Sequence, residues 1–173
     1  IGEAFDKCGK TMGFDYPAGP IIDKYSKNGN PKKFKFPIPK VKGLDFSFSG
    51  FKTSVLNFIN KNINLDQNFI KNNVEDLCAS IQFTLIEILM LKINLAVRKT
   101  GITQIALGGG VAANSELRKR IIHEGEKNNL KTYIPNIDYT TDNAAMIALV
   151  GYLKYKNLHF GNLKQKALSN YKI

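Results

Sequence analysis

Apolar positions recur at helical spacing in four stretches of this 173-residue chain. Ala4, Phe5, Cys8 and Met12 line one side of residues 1–12, and Gly13 is a helix stop. Tyr16-Pro17-Ala18-Gly19-Pro20 follows and reads as a turn, with Gly19 held between two prolines. A short second helix then runs from Ile21 to Lys27 and places Asp23 in its first turn. Phe51, Val55, Phe58 and Ile59 mark a third helix. Residues 60–73, with six Asn and neither Gly nor Pro, read as a polar connection. The longest helix spans Val74–Lys99, with Leu77, Ile81, Leu85, Ile88 and Ala96 at helical intervals and Gly101 at its end. Its centre is apolar on nearly every side, which predicts a central packing helix without a catalytic role.

Shorter signals predict strands. Asp45-Phe46-Ser47-Phe48-Ser49 alternates with period two and is ended by Gly50. Ile105-Ala106-Leu107 reads as a buried strand and Lys131-Thr132-Tyr133-Ile134 as another. Between these two strands lies the stretch around which the chain is organised. Gly108, Gly109 and Gly110 remove every side chain at a sharp turn. Asn114 or Ser115 then caps a helix carrying Leu117, Ile121 and Ile122. Backbone N–H groups and the positive end of a helix dipole meet there, which makes an anion site suited to phosphate. The alternative is an α/β turn that binds nothing, and the motif alone leaves both open.

Gly108-x-Gly110-x-x-Ala113 also fits the dinucleotide fingerprint of nicotinamide-dependent oxidoreductases. The expected acidic residue about 20 positions on is missing, because that region is Asn128-Asn129-Leu130-Lys131 and Asp138 comes too late. A second loop-to-helix start, Thr140 to Ala148, is capped by Thr141 or Asp142. An ordinary N-cap is one reading of Asp142. Asp6 and Asp23 lie near turns, and solvated helix acids are their plain alternative.

Composition narrows the class. Hydrophobic residues make up 43%, as in folded globular proteins. The formal charge of +11 points to an acidic partner, but 22 of the 25 basic residues are lysine, a bias that genome composition also produces. Lysines cluster with Phe34 and Phe36 in residues 29–44, where Lys32, Lys33, Lys35, Lys40 and Lys42 form either a nucleic-acid contact or an edge strand protected against pairing. A basic, non-enzymatic RNA-binding module is therefore a rival reading to an enzyme. Cys8 and Cys78 have no metal or redox spacing, and Cys78 reads as a buried thiol. With no signal peptide, no glycosylation sequon and no apolar run near 18 residues, a cytoplasmic protein without membrane contact is expected. Motif-like sequence begins at Ile1, which suggests a fragment of a longer protein.

Five stretches occur together in one order: Gly2-Glu3-Ala4-Phe5-Asp6-Lys7, Tyr16-Pro17-Ala18-Gly19-Pro20, Phe46-Ser47-Phe48-Ser49-Gly50-Phe51-Lys52-Thr53, Gly109-Gly110-Val111-Ala112-Ala113-Asn114-Ser115 and Thr141-Asp142-Asn143-Ala144-Ala145-Met146. Taken together they resemble the tRNA threonylcarbamoyladenosine transferase family, long described as O-sialoglycoprotein endopeptidases. The resemblance implies an α/β fold of the actin-like, Hsp70-like ATPase type. This chain would be its second lobe, with a helical part over 1–100 and a strand–helix part over 101–173. It implies transfer of threonylcarbamoyl from threonylcarbamoyl-adenylate to the exocyclic amine of an anticodon-loop adenosine. The implied partners are tRNA and the other proteins of tRNA threonylcarbamoylation. By the same resemblance Asp6, Gly19, Asp23 and Asn114 bind the adenylate. Asp142 is a ligand to one divalent metal, with iron favoured over zinc or magnesium. The family's other metal ligands come from a His-x-x-x-His motif. His123 and His159, the only histidines here, do not form it, so this half is expected to be inactive alone. Ala18 stands where the family usually has Gly.

Overall fold

Six helices and two short strands follow one another in the computed structural model, which describes residues 1–164 and 166. They fall into two units, residues 1–140 and residues 141 onward. The first unit holds α1 (Gly2–Thr11), α2 (Ala18–Ser26), α3 (Ser49–Ile63), α4 (Phe69–Thr100), β1 (Gln104–Ala106), α5 (Ser115–Asn128) and β2 (Lys131–Tyr133). Its secondary structure is α/β, rich in helix, with β1 and β2 paired in parallel. The second unit contains α6 (Ala144–Lys156).

Helix α4 organises the packing of the first unit. Leu77, Ile81, Leu85 and Ile88 meet Phe5 and Cys8 of α1, Ile22 of α2 and Phe51, Val55 and Ile59 of α3 in one apolar core. On another face Ile86 and Met90 meet Leu117 and Ile121 of α5 in a second core, flanked by Ile105 and Leu107. The apolar-all-round centre of α4 is thus explained by two cores on one helix. By length and composition α4 could also cross a membrane, so the expectation that no apolar run nears that length is corrected. Its burial against α1, α2, α3 and α5 identifies it here as a packing helix. Gly101 ends it in the left-handed conformation, φ 69°.

Several local expectations change. The turn ends at Pro17, and Ala18, Gly19 and Pro20 already form the first turn of α2. Proline is admissible there because the first backbone N–H groups of a helix have no partner inside it. Asp23 consequently lies in the middle of α2, not in its first turn. Phe46–Phe48 is not a strand, and among the described residues no strand pairs with it. Instead its two rings stack at 6.1 Å, 8° apart, and Gly50 lies inside α3. The polar connection shrinks to residues 64–68, since α3 runs to Ile63 and α4 starts at Phe69, with a kink at Asn73. Residues 29–44 form no edge strand. They lie along α4, where Phe34 N–H donates to Ser80 Oγ and Lys33 Nζ reaches Asp76 Oδ2 at 2.6 Å. Strand β1 is only half-buried, at Ile105, and Ile122 faces solvent at 45% exposure while Leu117 and Ile121 are buried.

Both cysteines are free and buried. Burial pushes each thiol from 9.0 up to about 12. Buried and held in the thiol form, they pack as small apolar groups.

Candidate functional site

Asp6 projects from α1 to the start of α2, where Ala18 N–H donates to its Oδ1 at 2.8 Å. A carboxylate at a helix N-terminus satisfies an orphan donor and meets the positive end of the dipole. One turn into α2 the spacing of four puts Gly19 and Asp23 on the same face. Asp23 then crosses to α5. Ser115 Oγ donates to Asp23 Oδ1 at 2.9 Å, and Ser115 N–H lies 3.3 Å from both carboxylate oxygens. Asn114, beside Ser115, is the N-cap of α5: its Oδ1 accepts from Leu117 N–H at 2.9 Å. Its Nδ2 donates to Gln82 Oε1 at 2.6 Å, Gln82 Nε2 donates to Ser26 Oγ at 2.7 Å, and Ser26 Oγ donates to Asp23 O at 2.9 Å. A closed polar ring therefore joins α2, α4 and α5. Asp23 and Asn114, 91 positions apart in sequence, are both part of it, while Asp6 and Gly19 lie at the start of α2, outside the ring.

This ring alters the expected anion site. At the start of α5 the N–H groups of Ser115 and Leu117 are already taken within the chain, by Asp23 and Asn114. The open donors lie just upstream, in the glycine turn. Among the described residues no acceptor takes the N–H of Gly108, Gly109 or Gly110. All three glycines are exposed. Gly109 has φ +85°, which requires glycine. At Gly108 and Gly110 a Cβ would meet nothing within 4 Å, so the chain itself does not explain why those side chains are absent. Neighbouring N–H groups on a bare turn form a concave donor surface for an anion. Sequence reasoning misses Gln82 and Ser26. Gln82 lies in the apolar run of α4, and its burial at 4% exposure without a charged partner is visible only in three dimensions.

Asp142 belongs to the second unit. The cap of α6 is Asn143, whose Oδ1 accepts from Met146 N–H at 3.0 Å. The expectation that Thr141 or Asp142 caps the helix is corrected, and Asp142 keeps an exposed carboxylate. Whether the chain can hold a metal by itself is decided by its donor set. Among the described residues no three His, Cys, Asp or Glu side chains gather.

The comparisons with known proteins agree with the motifs. A curated tRNA N6-adenosine threonylcarbamoyltransferase from Christiangramia forsetii is 52% identical over 173 residues, all of this chain and 51% of the relative. One from Riemerella anatipestifer is 52% identical over 172 residues, 99% of this chain and 50% of the relative. One from Cytophaga hutchinsonii is 50% identical over 155 residues, 90% of this chain and 45% of the relative. The chain thus spans about half the length of the curated relatives it matches. A family model described as tRNA N6-adenosine threonylcarbamoyltransferase matches residues 1–149. With that much of its length matched and half of its residues shared, the chain belongs to the tRNA N6-adenosine threonylcarbamoyltransferase family.

Proposed function

We propose that this chain is the adenylate-binding half of a tRNA threonylcarbamoyltransferase with an actin-like, Hsp70-like fold. The observation that supports the reading is the polar ring that ties Asp23 of α2 to Asn114 of α5, with Asp6 bonded to the start of the same α2 and an exposed glycine turn just before α5. The turn's N–H groups would donate to an adenylate phosphate. Asp6 and Asp23 each keep lone pairs to accept hydrogen bonds from ribose hydroxyls, and Asn114 keeps one amide hydrogen. The substrates would be threonylcarbamoyl-adenylate and a tRNA adenosine. Binding both in one place raises the effective concentration of the attacking amine. The compartment would be the cytoplasm, and the remaining half and partner proteins would complete the site.

Gly110→Ala tests the phosphate cradle. A Cβ at Gly110 meets nothing within 4 Å of the chain, so the melting temperature should stay close to that of the parent. Affinity for AMP or a non-hydrolysable acyl-adenylate should fall about tenfold or more, equivalent to about 1.4 kcal/mol. Unchanged affinity by calorimetry would remove the glycine turn from the site.

Asp142 is the position to which a metal-ligand role is carried by family resemblance. Since Asn143 caps α6, Asp142→Asn should leave the melting temperature unchanged. In the whole transferase the same change should lower the bound metal measured by elemental analysis, because an amide lacks the charge that a hard cation requires. Full metal content in the Asn variant would take Asp142 out of that role. The 173-residue chain alone should retain no stoichiometric metal after gel filtration.

A further inference from the structure

A groove of about 540 Å³ runs between α1 and α3, away from the polar ring. Its two walls repeat one pattern. Helix α1 contributes Lys7, Lys10 and Thr11, and α3 contributes Ser49, Lys52 and Thr53, with Leu56 as an apolar floor on the α3 side. On each helix the three side chains are spaced by three and four residues, so each set forms one stripe. Lys7 and Lys52 share Glu3, whose Oε1 lies 3.4 Å from Lys7 Nζ and 3.2 Å from Lys52 Nζ. Lys10 has no acidic partner among the described residues. Three ammonium groups against one carboxylate leave the groove cationic. Immediately before Ser49 the stacked pair Phe46–Phe48 presents Phe46 at 47% exposure.

We propose that the α1–α3 groove is where this chain holds an RNA sugar–phosphate backbone, with Phe46 offering a stacking face to an unpaired base. Lysines on both walls of one groove suit successive phosphates of a strand better than a single bound anion. An exposed aromatic beside them is the combination used for single-stranded nucleic acid. Placement supports the same ligand. Asp6 and Lys7 are consecutive on α1 and point about 100° apart around its axis, so a strand in the groove passes beside the proposed adenylate side of the helix. This inference rests on the tRNA reading proposed for the chain and places the RNA interface on α1 and α3, not on the lysines of residues 29–44. In that segment Lys33 is already tied to Asp76 and Asn73.

The test is fluorescence anisotropy of the full chain with a labelled anticodon stem-loop RNA across a salt series, with AMP binding measured on the same preparations. The triple variant Lys7→Gln, Lys10→Gln, Lys52→Gln should weaken RNA binding at least tenfold. It should also flatten the salt slope by about two units, near 0.7 for each single-strand phosphate no longer neutralised. Phe46→Ala should weaken binding about tenfold, and Phe46→Tyr should restore it. AMP binding should not change in any of them. An unchanged slope in the triple variant, or an equal loss in a Lys32→Gln, Lys35→Gln, Lys40→Gln control, would overturn the groove while leaving the adenylate reading intact. Full competition by millimolar inorganic phosphate would make the groove a small-anion site and overturn the RNA assignment. A parent chain that binds neither RNA nor AMP would overturn both readings together.

Discussion

Asn114→Ala is expected to lower the stability of residues 1–140 by about 2–4 kcal/mol and to abolish measurable adenylate binding. Two losses add. Alanine cannot accept from Leu117 N–H, and losing an Asn cap costs about 1 kcal/mol. Gln82 Oε1 also loses its donor at 2.6 Å while it remains buried, an unmet acceptor worth about 1–3 kcal/mol. Asn114→Ser separates the two, because serine caps α5 but does not span to Gln82. It should recover about 1 kcal/mol in urea unfolding and leave the rest of the deficit in place. Equal midpoints for the Ala and Ser variants would mean that the hydroxyl cap adds nothing and that the tie to Gln82 carries the whole effect. The binding loss follows from position, since Asn114 fixes the start of α5 beside Ser115, and Ser115 fixes Asp23 on α2.

Gly9→Ala should be the more damaging of two conservative substitutions. A Cβ at Gly9 would collide with the Cβ of Ala18, and the Ala18 Cα would lie 3.6 Å away. Ala18 is 1% exposed and opens α2, so no side-chain rotation relieves the clash and the helices must part. Overpacking of this kind costs about 1–3 kcal/mol. For a chain of this size that is a fall of about 3–10 °C in melting temperature. The separation also draws Ala18 N–H away from Asp6 and carries Gly19 and Asp23 with it, so AMP affinity should fall in parallel. Gly110→Ala, which meets nothing within 4 Å, is the matched control and should melt with the parent. A Gly9→Ala protein with the parent's melting temperature would contradict the close α1–α2 packing.

What the sequence discloses, and what it conceals, follows from the range of the interactions. Helices α1, α4 and α5 are set by apolar residues three and four apart, and the glycine turn by local conformational freedom, so each is readable within about a dozen residues. The beginning of α2 is hidden because proline ends a helix when inside it and is harmless in the first turn; only the true start of α2 distinguishes the cases. Phe46-Ser47-Phe48 has the alternation of a strand without a pairing partner, and sheet structure depends on that partner. The cap of α6 is ambiguous by one or two residues because Thr141, Asp142 and Asn143 are all competent caps. The motifs point to the site residues one at a time. Their assembly through Gln82 and the Asp23–Ser115 hydrogen bond spans 92 residues, and no local pattern encodes such a pairing. The filling of the α5 start by Asp23 is invisible in the sequence for the same reason.

The sharing of α4 between two apolar cores has a consequence for how the chain responds to a ligand. Leu85 and Ile86 are consecutive, yet one belongs to the core with α1, α2 and α3 and the other to the core with α5. Neither core can open without unseating the same stretch of backbone, so residues 81–90 should exchange their amide hydrogens only through opening of the whole unit. A small molecule gripped between α2 and α5 stabilises that closed unit as a whole. Its signature would be slower deuterium uptake along the middle of α4, in amides that it never touches.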